Sequence, residues 1–307
     1  MSSNIQNSVK LSKWLYILFW SQVLIQVVLP SLNGSFHLKE NRFLSFLVPV
    51  ESNESVELVD PAHFTLCCPG GGFAGFWFTL GRLSVLEEKG PIGFLSSASA
   101  SDMNHVDRKR TNYTQETEAV SNETSKQIHY HCYSAGCVGV VSNLMKYSVN
   151  QVFDMALTSR KRWKNGEMNR FQIVEDFIDQ MLMHNGHAKL SNSTLSRIHV
   201  VSTKLNLQSL NPFEAVSTTP NSIDELKTLL LQTSFIPFVT GDGLYYSTGD
   251  STEKYVDGAF SIFQHDKCQA RLDIPNQPKL LLNTWNMNLA LEDAKSFWEM
   301  GLGFDEY

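Results

Sequence analysis

Short apolar segments along the chain alternate with longer segments in which apolar residues recur every three or four positions. Residues 63–68 form the first short segment, which is typical of a buried strand, and a glycine-rich turn follows at once. In residues 73–89 the apolar positions have helical spacing, and Gly90 follows as a stop signal. This region is therefore predicted to be a strand, a glycine turn and a helix.

Further strands and helices follow in the same alternating order. Strands are predicted over residues 128–133 and 197–203, and shorter ones over 92–95, 235–240, 255–256 and 279–282. Helices are predicted over residues 137–147, as a pair within 151–184, from a capping box of Ser222 and Glu225 to Leu231, and over 291–300 with Gly301 at the end. This alternation is typical of an α/β fold with a mostly parallel sheet and helices on both faces.

Residues 14–32 form an apolar stretch unlike the rest of the chain. Two lysines precede it, and it has no polar stripe at helical spacing. Residues 1–34 are therefore predicted to be a signal peptide or a retained membrane anchor, and the sequence leaves both alternatives open. A buried helix of a soluble domain is a third. Residues 35–60 are predicted to be a linker, and residues 61–307 the folded domain.

Five Asn-x-Ser/Thr sequences agree with passage through the secretory pathway, where such asparagines can be glycosylated. They begin at Asn33, Asn53, Asn112, Asn122 and Asn192. Two of them lie in residues 96–127, a polar stretch that is predicted to be an exposed insertion. The expected location is the secretory pathway, with the domain secreted or anchored on the lumenal side. Chance occurrence of these short sequences is the alternative.

Composition and charge narrow the range of functions. The 307 residues are 42% hydrophobic and 18% charged, which allows one ordinary domain with a sizeable core. With 25 Lys and Arg against 31 Asp and Glu, the net charge of −6 gives no general basic field for binding nucleic acid. One basic cluster, Arg160, Lys161, Arg162 and Lys164, is either a solvated helix face or a membrane contact. The oligomeric state is left open.

The glycine-rich turn after the first strand is the first candidate site. Gly70, Gly71 and Gly72, followed by Gly75, leave a strand and open a helix, so their backbone N–H groups can bind one negative charge. A dinucleotide-binding loop is an alternative, but it requires an acidic residue at the end of the next strand, and Glu87 lies in the predicted helix instead. A purely structural turn is the other alternative.

Residues 132–136, Cys-Tyr-Ser-Ala-Gly, form the second candidate site, between a predicted strand and a predicted helix. This is where a nucleophile elbow belongs, and its usual sequence is G-x-S-x-G, of which Cys132 replaces the first glycine. An elbow exposes the Ser134 hydroxyl at a helix N-terminus, whose dipole stabilises a developing oxyanion. A serine that only caps the helix is the alternative.

Asp257 is the third candidate, because a carboxylate at the end of a strand can accept the proton of a serine nucleophile. An Asp-Gly sequence otherwise marks a turn. Ser134, Asp257 and His265 stand in the chain order of a hydrolase triad, which makes His265 an alternative base. The gap between the last two residues is short for an acid and a base on separate loops.

Histidines and cysteines near the candidate nucleophile offer a metal site as a further alternative. His129 and His131 share one strand face, and Cys132 and Cys137 are close by in sequence. The chain has no CxxC pair, and small buried cysteines are ordinary packing residues, so no metal or other cofactor is expected. Five cysteines are too few for a disulfide framework, although one disulfide of unassigned pairing is compatible with an oxidising compartment.

Taken in order, these motifs resemble those of the patatin-like phospholipases. The resemblance covers residues 64–261 and includes the glycine loop, the Ser-Ala-Gly elbow, residues 199–203, residues 233–237 and the Asp-Gly-Ala sequence at 257–259. The ordered set is more specific than any one of its members.

The resemblance implies a three-layer αβα sandwich with a mostly parallel central sheet. It also implies a lipid acyl hydrolase, of the phospholipase A or acylglycerol esterase type, that uses a Ser–Asp dyad without histidine, metal or cofactor. By this resemblance Ser134 is the nucleophile, Asp257 is its base, and Gly70, Gly71 and Gly72 form the oxyanion hole.

The expected partners are a lipid ester and a membrane surface. Phe73, Phe76 and Trp77 lie beside the glycine loop and are candidates for lining an acyl pocket, although at helical spacing they are also ordinary core residues. The N-terminal segment would keep the protein near its substrate.

The chain departs from the family pattern at two positions. Ala74 stands where Arg or Lys is usual, which removes a cation beside the loop, and Cys132 adds a side chain at the elbow. A catalytically silent, membrane-tethered lipid-binding protein is therefore the alternative function. Retention of both Ser134 and Asp257 favours the enzyme.

Overall fold

The structure is a computed structural model that describes residues 63–86, 127–183, 190–206, 212–248, 252–264, 268–275 and 277–303. The chain divides into two units, Met1–Asp60 and Pro61–Tyr307, and all of the described residues lie in the second. The predicted signal or anchor, the linker, the strand at 92–95 and residues 96–126 of the polar insertion lie outside the described residues.

The first half of the sheet consists of two strand–turn–helix units. Strand β1 (His63–Cys68) leads into helix α1, which is described over residues 72–86, and β2 (Gln127–Cys132) leads into α2 (Ala135–Leu144). The two strands are parallel and paired along their whole length. Because they also end at the same level, the two turns that follow them lie side by side at one edge of the sheet.

Helices fill the connection to the next strand, and they confirm the helix pair predicted within residues 151–184. They are α3 (Val149–Lys164), α4 (Ile173–Met183) with a 3-10 turn at Arg170–Gln172 before it, and the short α5 (Asn192–Leu195). Helix α3 begins with a capping box, in which Ser148 and Gln151 each accept a hydrogen bond from the other's backbone amide.

Strand β3 (Ile198–Leu205) has partners on both edges. Its beginning pairs in parallel with β2, and its other edge pairs antiparallel with β4 (Phe213–Thr218). After α6 (Ile223–Thr233), the short strand β5 (Tyr255–Val256) pairs antiparallel with the end of β3. Since β4 already occupies one edge there, β5 lies along the edge that β2 leaves free.

The remaining elements close the sheet at its other side. They are a 3-10 segment at Gly258–Gln264, β6 (Ala270–Arg271), α7 (Pro278–Asn283) and α8 (Leu291–Leu302). The strand order is β4-β3-β2-β1-β6, with β5 on β3, and β6 is parallel to β1. The fold is therefore α/β, with an open, mixed and mostly parallel sheet flanked by helices.

Two of the predicted short strands are wrong. Residues 235–240 form a turn with one bridge, from Pro237 to Gly241, and residues 279–282 belong to α7. Proline suits the first position of a helix, and the Lys-Leu-Leu-Leu that follows has high helix propensity, which outweighs the apolar run as a strand signal. Strand β4 was not predicted, because its side chains are half-buried or exposed and do not alternate clearly.

A hydrophobic core packs against one face of the sheet. Alternate strand residues on this face, including Leu66, Tyr130, Ile198 and Val200, are buried together with apolar residues of α1, α2 and α6.

Two disulfides join Cys67 to Cys268 and Cys132 to Cys137, which is one more than the sequence led us to expect. No helix within the described ranges has the length and apolar character needed to cross a membrane.

Candidate active site

The glycine loop and the serine elbow meet because β1 and β2 end together. Cys68, the last residue of β1, pairs with Cys132, the last residue of β2, and the amide of Tyr133 donates a hydrogen bond of 3.2 Å to the carbonyl of Cys68. Gly136 packs directly on the loop backbone, since a Cβ at this position would lie 2.3 Å from the carbonyl oxygen of Pro69. A larger residue at position 136 would push the elbow away from the loop.

Ser134 has the backbone conformation of a sharp strand-to-helix turn. Its φ of 53° and ψ of −138° lie in a region that non-glycine residues rarely adopt. The Ser134 amide donates a hydrogen bond of 2.9 Å to the hydroxyl of Thr233, which donates in turn to the carbonyl of Val201 at 2.5 Å. The Ser134 side chain makes no capping hydrogen bond to α2, so the geometry does not support the alternative of an inert helix cap.

Asp257 lies directly after β5, at the point where β5 has taken over the edge of β3. Its amide donates to the carbonyl of Phe235 at 2.8 Å, and its carbonyl accepts a hydrogen bond of 2.9 Å from the Thr203 hydroxyl. Gly258 brings this segment against the elbow, because an added Cβ would lie 2.5 Å from the Cβ of Tyr133. The topology of β3 therefore brings the predicted nucleophile and the predicted base together.

Asp257 is only 1% exposed. Burial raises its pKa to about 7, and the nearby Ser134 hydroxyl and the Ala259 amide limit this rise. The Ala259 amide bonds Oδ1 at 2.8 Å, whereas buried Oδ2 has no hydrogen-bond partner in the described part of the chain. The Ser134 hydroxyl is thus near the carboxylate without completing a hydrogen bond of standard geometry to Oδ2.

The glycine loop offers backbone donors beside Ser134. An added Cβ at Gly70 would lie 2.6 Å from the Cβ of Ser134, so the loop backbone touches the candidate nucleophile. The amide of Phe73 already donates a hydrogen bond of 2.8 Å to the carbonyl of Thr284. Within the described residues, the amides of Gly70, Gly71 and Gly72 have no acceptor, and these amides were the predicted oxyanion hole.

Ala74 is fully buried in the first turn of α1, where the family pattern would have Arg or Lys. The site therefore has no cationic side chain at this position. Backbone amides and the N-terminus of α2 are the groups available to stabilise negative charge next to Ser134.

An apolar cleft of about 1010 Å³, its open mouth included, extends from Ser134. Phe73, Phe76 and Trp77 all line it, as predicted for an acyl pocket, and Phe153 and Phe177 face them from α3 and α4. Phe76 and Trp77 are also buried in the core, so both interpretations of the spacing hold for them, whereas Phe73 is half-buried and only lines the cleft.

Polar groups in the cleft are few. The Ser234 hydroxyl is buried in its wall and has no hydrogen-bond partner among the residues described. Arg160 is the one charged side chain among the lining residues within the described ranges, and its guanidinium donates to the carbonyl of Leu289 at 3.0 Å. Such a cleft suits a ligand with a long apolar part and one polar group.

The Cys132–Cys137 disulfide spans the elbow, with Ser134 between its two cysteines. Both cysteines are fully buried, as expected of packing residues, and they are bonded to each other, a pairing that the sequence left unassigned. The sequence contained no signal for this pairing beyond the short spacing. The bond ties the end of β2 to the first turn of α2, on either side of the strained serine.

The metal alternative loses two of its ligands to that disulfide, since bonded cysteines offer no thiolates. His129 and His131 lie on the other face of the sheet, where each stacks near His199. No group of three or more His, Cys, Asp or Glu in the described ranges is arranged to hold a metal ion. His265, the alternative base, lies outside the described residues.

Sequence reasoning missed the role of Thr233, which fixes the Ser134 amide from the end of α6. Residues 233–237 were part of the family resemblance, and this was the available signal.

Comparison of the chain with protein-family models, with curated proteins and with solved structures finds no match.

Proposed function

We propose that the protein is a lipid acyl hydrolase of the patatin-like type that works through a dyad of Ser134 and Asp257. One observation carries this proposal: a serine at positive φ at the end of an apolar cleft lies beside a buried carboxyl group with a raised pKa. The order of the motifs along the chain supports the same family.

In the proposed reaction, Asp257 accepts the hydroxyl proton of Ser134, and Oγ bonds to the carbonyl carbon of an ester. The carbonyl oxygen becomes an oxyanion that accepts hydrogen bonds from the amides of Gly70, Gly71 and Gly72. When the tetrahedral intermediate collapses, the bond to the alcohol breaks, and the alcohol leaves with the proton from Asp257. Water, deprotonated by Asp257, then releases the fatty acid and restores Ser134.

Burial of Asp257 supports its role as the base. A carboxylate with an ordinary pKa near 4 is a weak base towards a serine hydroxyl. The raised pKa of about 7 makes this carboxylate a stronger proton acceptor and still leaves it half ionised at neutral pH. The unpartnered Oδ2 is available to receive the proton.

The apolar lining of the cleft supports a lipid ester over a polar one. Buried aromatic side chains in its wall, Phe76, Trp77 and Phe153, offer a surface for an acyl chain. Phospholipase A or acylglycerol esterase activity is the proposed reaction class, and the membrane that holds such esters is the proposed partner.

Ala74 supports a second candidate, a catalytically silent lipid-binding protein on the same fold. Without a cation at position 74, the proposed oxyanion would be stabilised by backbone amides and the N-terminus of α2. The other departure, Cys132, carries less weight, because its side chain is bonded to Cys137 and the turn still reaches an elbow conformation.

The two disulfides support an oxidising compartment, since disulfides persist in the secretory pathway and outside cells. Secretion or membrane anchoring with a lumenal domain is therefore the proposed location.

Fluorophosphonate labelling of the full chain tests the proposal, because these reagents phosphonylate a serine oxygen, with loss of fluoride, only when the hydroxyl is activated. The unmodified chain should be labelled, whereas Ser134→Ala and Asp257→Asn, each shown to be folded, should not. Ser84→Ala is the control, since its hydroxyl donates to the carbonyl of Leu80 within α1. Absence of labelling in the folded, unmodified chain would favour the silent lipid-binding protein. Labelling that persists in Asp257→Asn would exclude Asp257 as the base.

A further inference from the structure

Large apolar side chains are exposed around the mouth of the cleft. Leu157 and Trp285 line the cleft and are still 37% and 39% exposed. Phe238 is 44% exposed and lies in the turn between Ile236 and Thr240, both of which line the cleft. Exposed apolar groups that gather at one opening are typical of an interaction surface.

Helix α3 adds positive charge to the same opening. Leu157, Arg160, Lys161 and Lys164 have the spacing i, i+3, i+4 and i+7, so they share one face of the helix. This face borders the mouth, because Leu157 and Arg160 line the cleft. Lys161 and Lys164 are exposed and form no ion pair within the described ranges. Asp154 lies on the same side one turn earlier, so the basic part is the second half of the helix.

The helix dipole explains why cations are favoured in the last turn, but it does not select a face. Arg162, on another side of α3, shows the contrast, because it is paired with Glu167 and Asp176. Among the cations of α3, those on the side of Leu157 have no acidic partner within the residues that the structure describes.

The turn at Phe238 exposes its ring in an unfavourable backbone conformation. Its φ of 63° is rare for a bulky residue, and glycine would fit the turn better. The exposed ring contributes little to the core. Arg170 supports the turn by donating a hydrogen bond of 3.0 Å to the Phe238 carbonyl, and it brings one more cation to this side. An exposed aromatic ring held under strain is a reason to look for a ligand.

We propose that these residues form a docking surface for an anionic lipid membrane. This mouth surface consists of Leu157, Lys161, Lys164, Phe238 and Trp285. Apolar and aromatic side chains insert between headgroups, and nearby lysines attract anionic lipids. The whole chain has a net charge of −6, so the attraction must come from a local cluster of this kind.

Docking through the mouth surface presents the cleft to the bilayer, so that a lipid can reach Ser134 without passing through water. The inference rests on the proposed function for its partner, a membrane that contains lipid esters. It does not require turnover, because a silent lipid-binding protein would use the same surface.

Hydrogen–deuterium exchange of the full chain with lipid vesicles tests this surface. Vesicles of phosphatidylcholine are compared with vesicles that also contain phosphatidylserine. With phosphatidylserine, exchange should slow at residues 236–241 and 284–289, and added salt should reverse the effect. Residues 1–62 are present in every sample, so any membrane binding of their own is a constant background.

Variants assign the effect to particular side chains. Lys161→Gln and Lys164→Gln should each weaken binding to the anionic vesicles about fivefold. Lys146→Gln, an exposed lysine just beyond the end of α2 that is far from Ser134, should leave binding unchanged. Phe238→Gly should weaken vesicle binding while leaving the melting temperature unchanged or raising it. A purely structural ring would give the opposite pair of results, a lower melting temperature with unchanged binding.

Several outcomes would overturn the inference. One is protection that does not depend on phosphatidylserine, and another is equal loss of binding in Lys146→Gln. A dimer in sedimentation experiments without lipid, disrupted by the same variants, would show that a second copy of the chain covers the surface. Failure of the proposed function is a separate result. A chain that binds anionic vesicles but does not react with fluorophosphonate would support the docking surface and contradict the proposed hydrolase. A chain that reacts with fluorophosphonate but does not bind vesicles would support the hydrolase and contradict the docking surface.

Discussion

The amide of Ser134 is held at 2.9 Å by the side chain of Thr233, a residue at the end of a helix almost a hundred positions further along the chain. Thr233 is fully buried, and its hydroxyl also donates to the carbonyl of Val201 in β3. The Thr233 hydroxyl thus links the strained turn at the candidate nucleophile to β3.

Thr233→Val should therefore loosen the elbow. The substitution keeps the shape of the side chain but leaves the Ser134 amide and the Val201 carbonyl without partners, which costs about 1–3 kcal/mol for each buried group. The free energy of unfolding should fall by that order, and the rate of fluorophosphonate labelling by about tenfold or more. Thr233→Ser, which retains the hydroxyl, is the matched control. Equal losses in the two variants would show that packing of the methyl group, and not the hydrogen bond, is what matters.

The labelling rate should rise with pH and reach half of its maximum at about pH 7, because Asp257 must be ionised to accept the serine proton. Stopped-time labelling across a pH series measures this profile. A rate that is flat between pH 5 and pH 9 would contradict the assignment of Asp257 as the base.

The free energy of unfolding should also depend on ionisation of Asp257, but it should fall as the pH rises, whereas the labelling rate should increase. The pKa of Asp257 is raised from 3.8 to about 7 in the folded chain, so the folded state binds this proton more tightly than the unfolded state. Its contribution to stability is fully present below pH 4 and is lost as the pH rises through 7. Asp257→Asn should remove this loss and raise the free energy of unfolding above pH 7 by roughly 2–4 kcal/mol relative to the unmodified chain. Denaturant unfolding at two pH values, one below 4 and one above 7, measures the difference.

Gly70→Ala should reduce labelling strongly, because the new Cβ would lie 2.6 Å from the Cβ of Ser134. Either the loop or the nucleophile must move, and a misplacement of about 1 Å can lower a rate about a hundredfold. Gly243→Ala is the control, since a Cβ there would meet nothing closer than 3.6 Å. A labelling rate in Gly70→Ala equal to that of the control would mean that the loop is not part of the site.

Removal of one disulfide should mainly lower the free energy of unfolding, whereas removal of the other should mainly slow labelling of Ser134. Replacing Cys67 and Cys268 with alanine opens a long loop, for which chain entropy predicts a loss of about 5 kcal/mol, while the elbow is not touched. Replacing Cys132 and Cys137 opens a loop of only a few residues and should cost about 2 kcal/mol, but it should slow labelling of Ser134 more than the first pair does. Melting temperatures and labelling rates of both double variants make the comparison. If the first pair slows labelling more, the short disulfide does not position the serine.

Much of the fold could be predicted where local patterns agree with tertiary packing. The strand at 63–68 and the helices within 151–184 have clear apolar spacing and caps, and the structure confirms them. Gly301 was predicted to end the last helix but lies inside it, because an added Cβ would be 2.3 Å from the carbonyl of Phe78 in α1. Gly301 is needed for close contact between α8 and α1, and the spacing of apolar residues along the chain does not predict such a contact.

The sequence predicted the candidate nucleophile and base, but not the residues that hold them in position. Ser134 and Asp257 stand in recognisable turn sequences, so short motifs pointed to both. Thr233 and the Cys132–Cys137 pairing act through the tertiary structure, where partners are chosen by the sheet order and not by local sequence. The strand at 255–256 was predicted and is confirmed, but its antiparallel pairing with β3 was not, since local sequence does not choose a strand's partner.

The same addition of β5 also bears on when the site comes into being during synthesis. A nascent chain that has reached only α6 contains the residues of the glycine loop and the elbow, but it lacks the strand that carries Asp257. The sheet is completed later still, when β6 pairs with β1 and Cys268 reaches Cys67, 201 residues earlier. A chain that lacks β5 would therefore hold the candidate nucleophile without the proposed base, and the proposed reactivity towards lipid would begin only after the segment that carries Asp257 has been synthesised and has paired with β3.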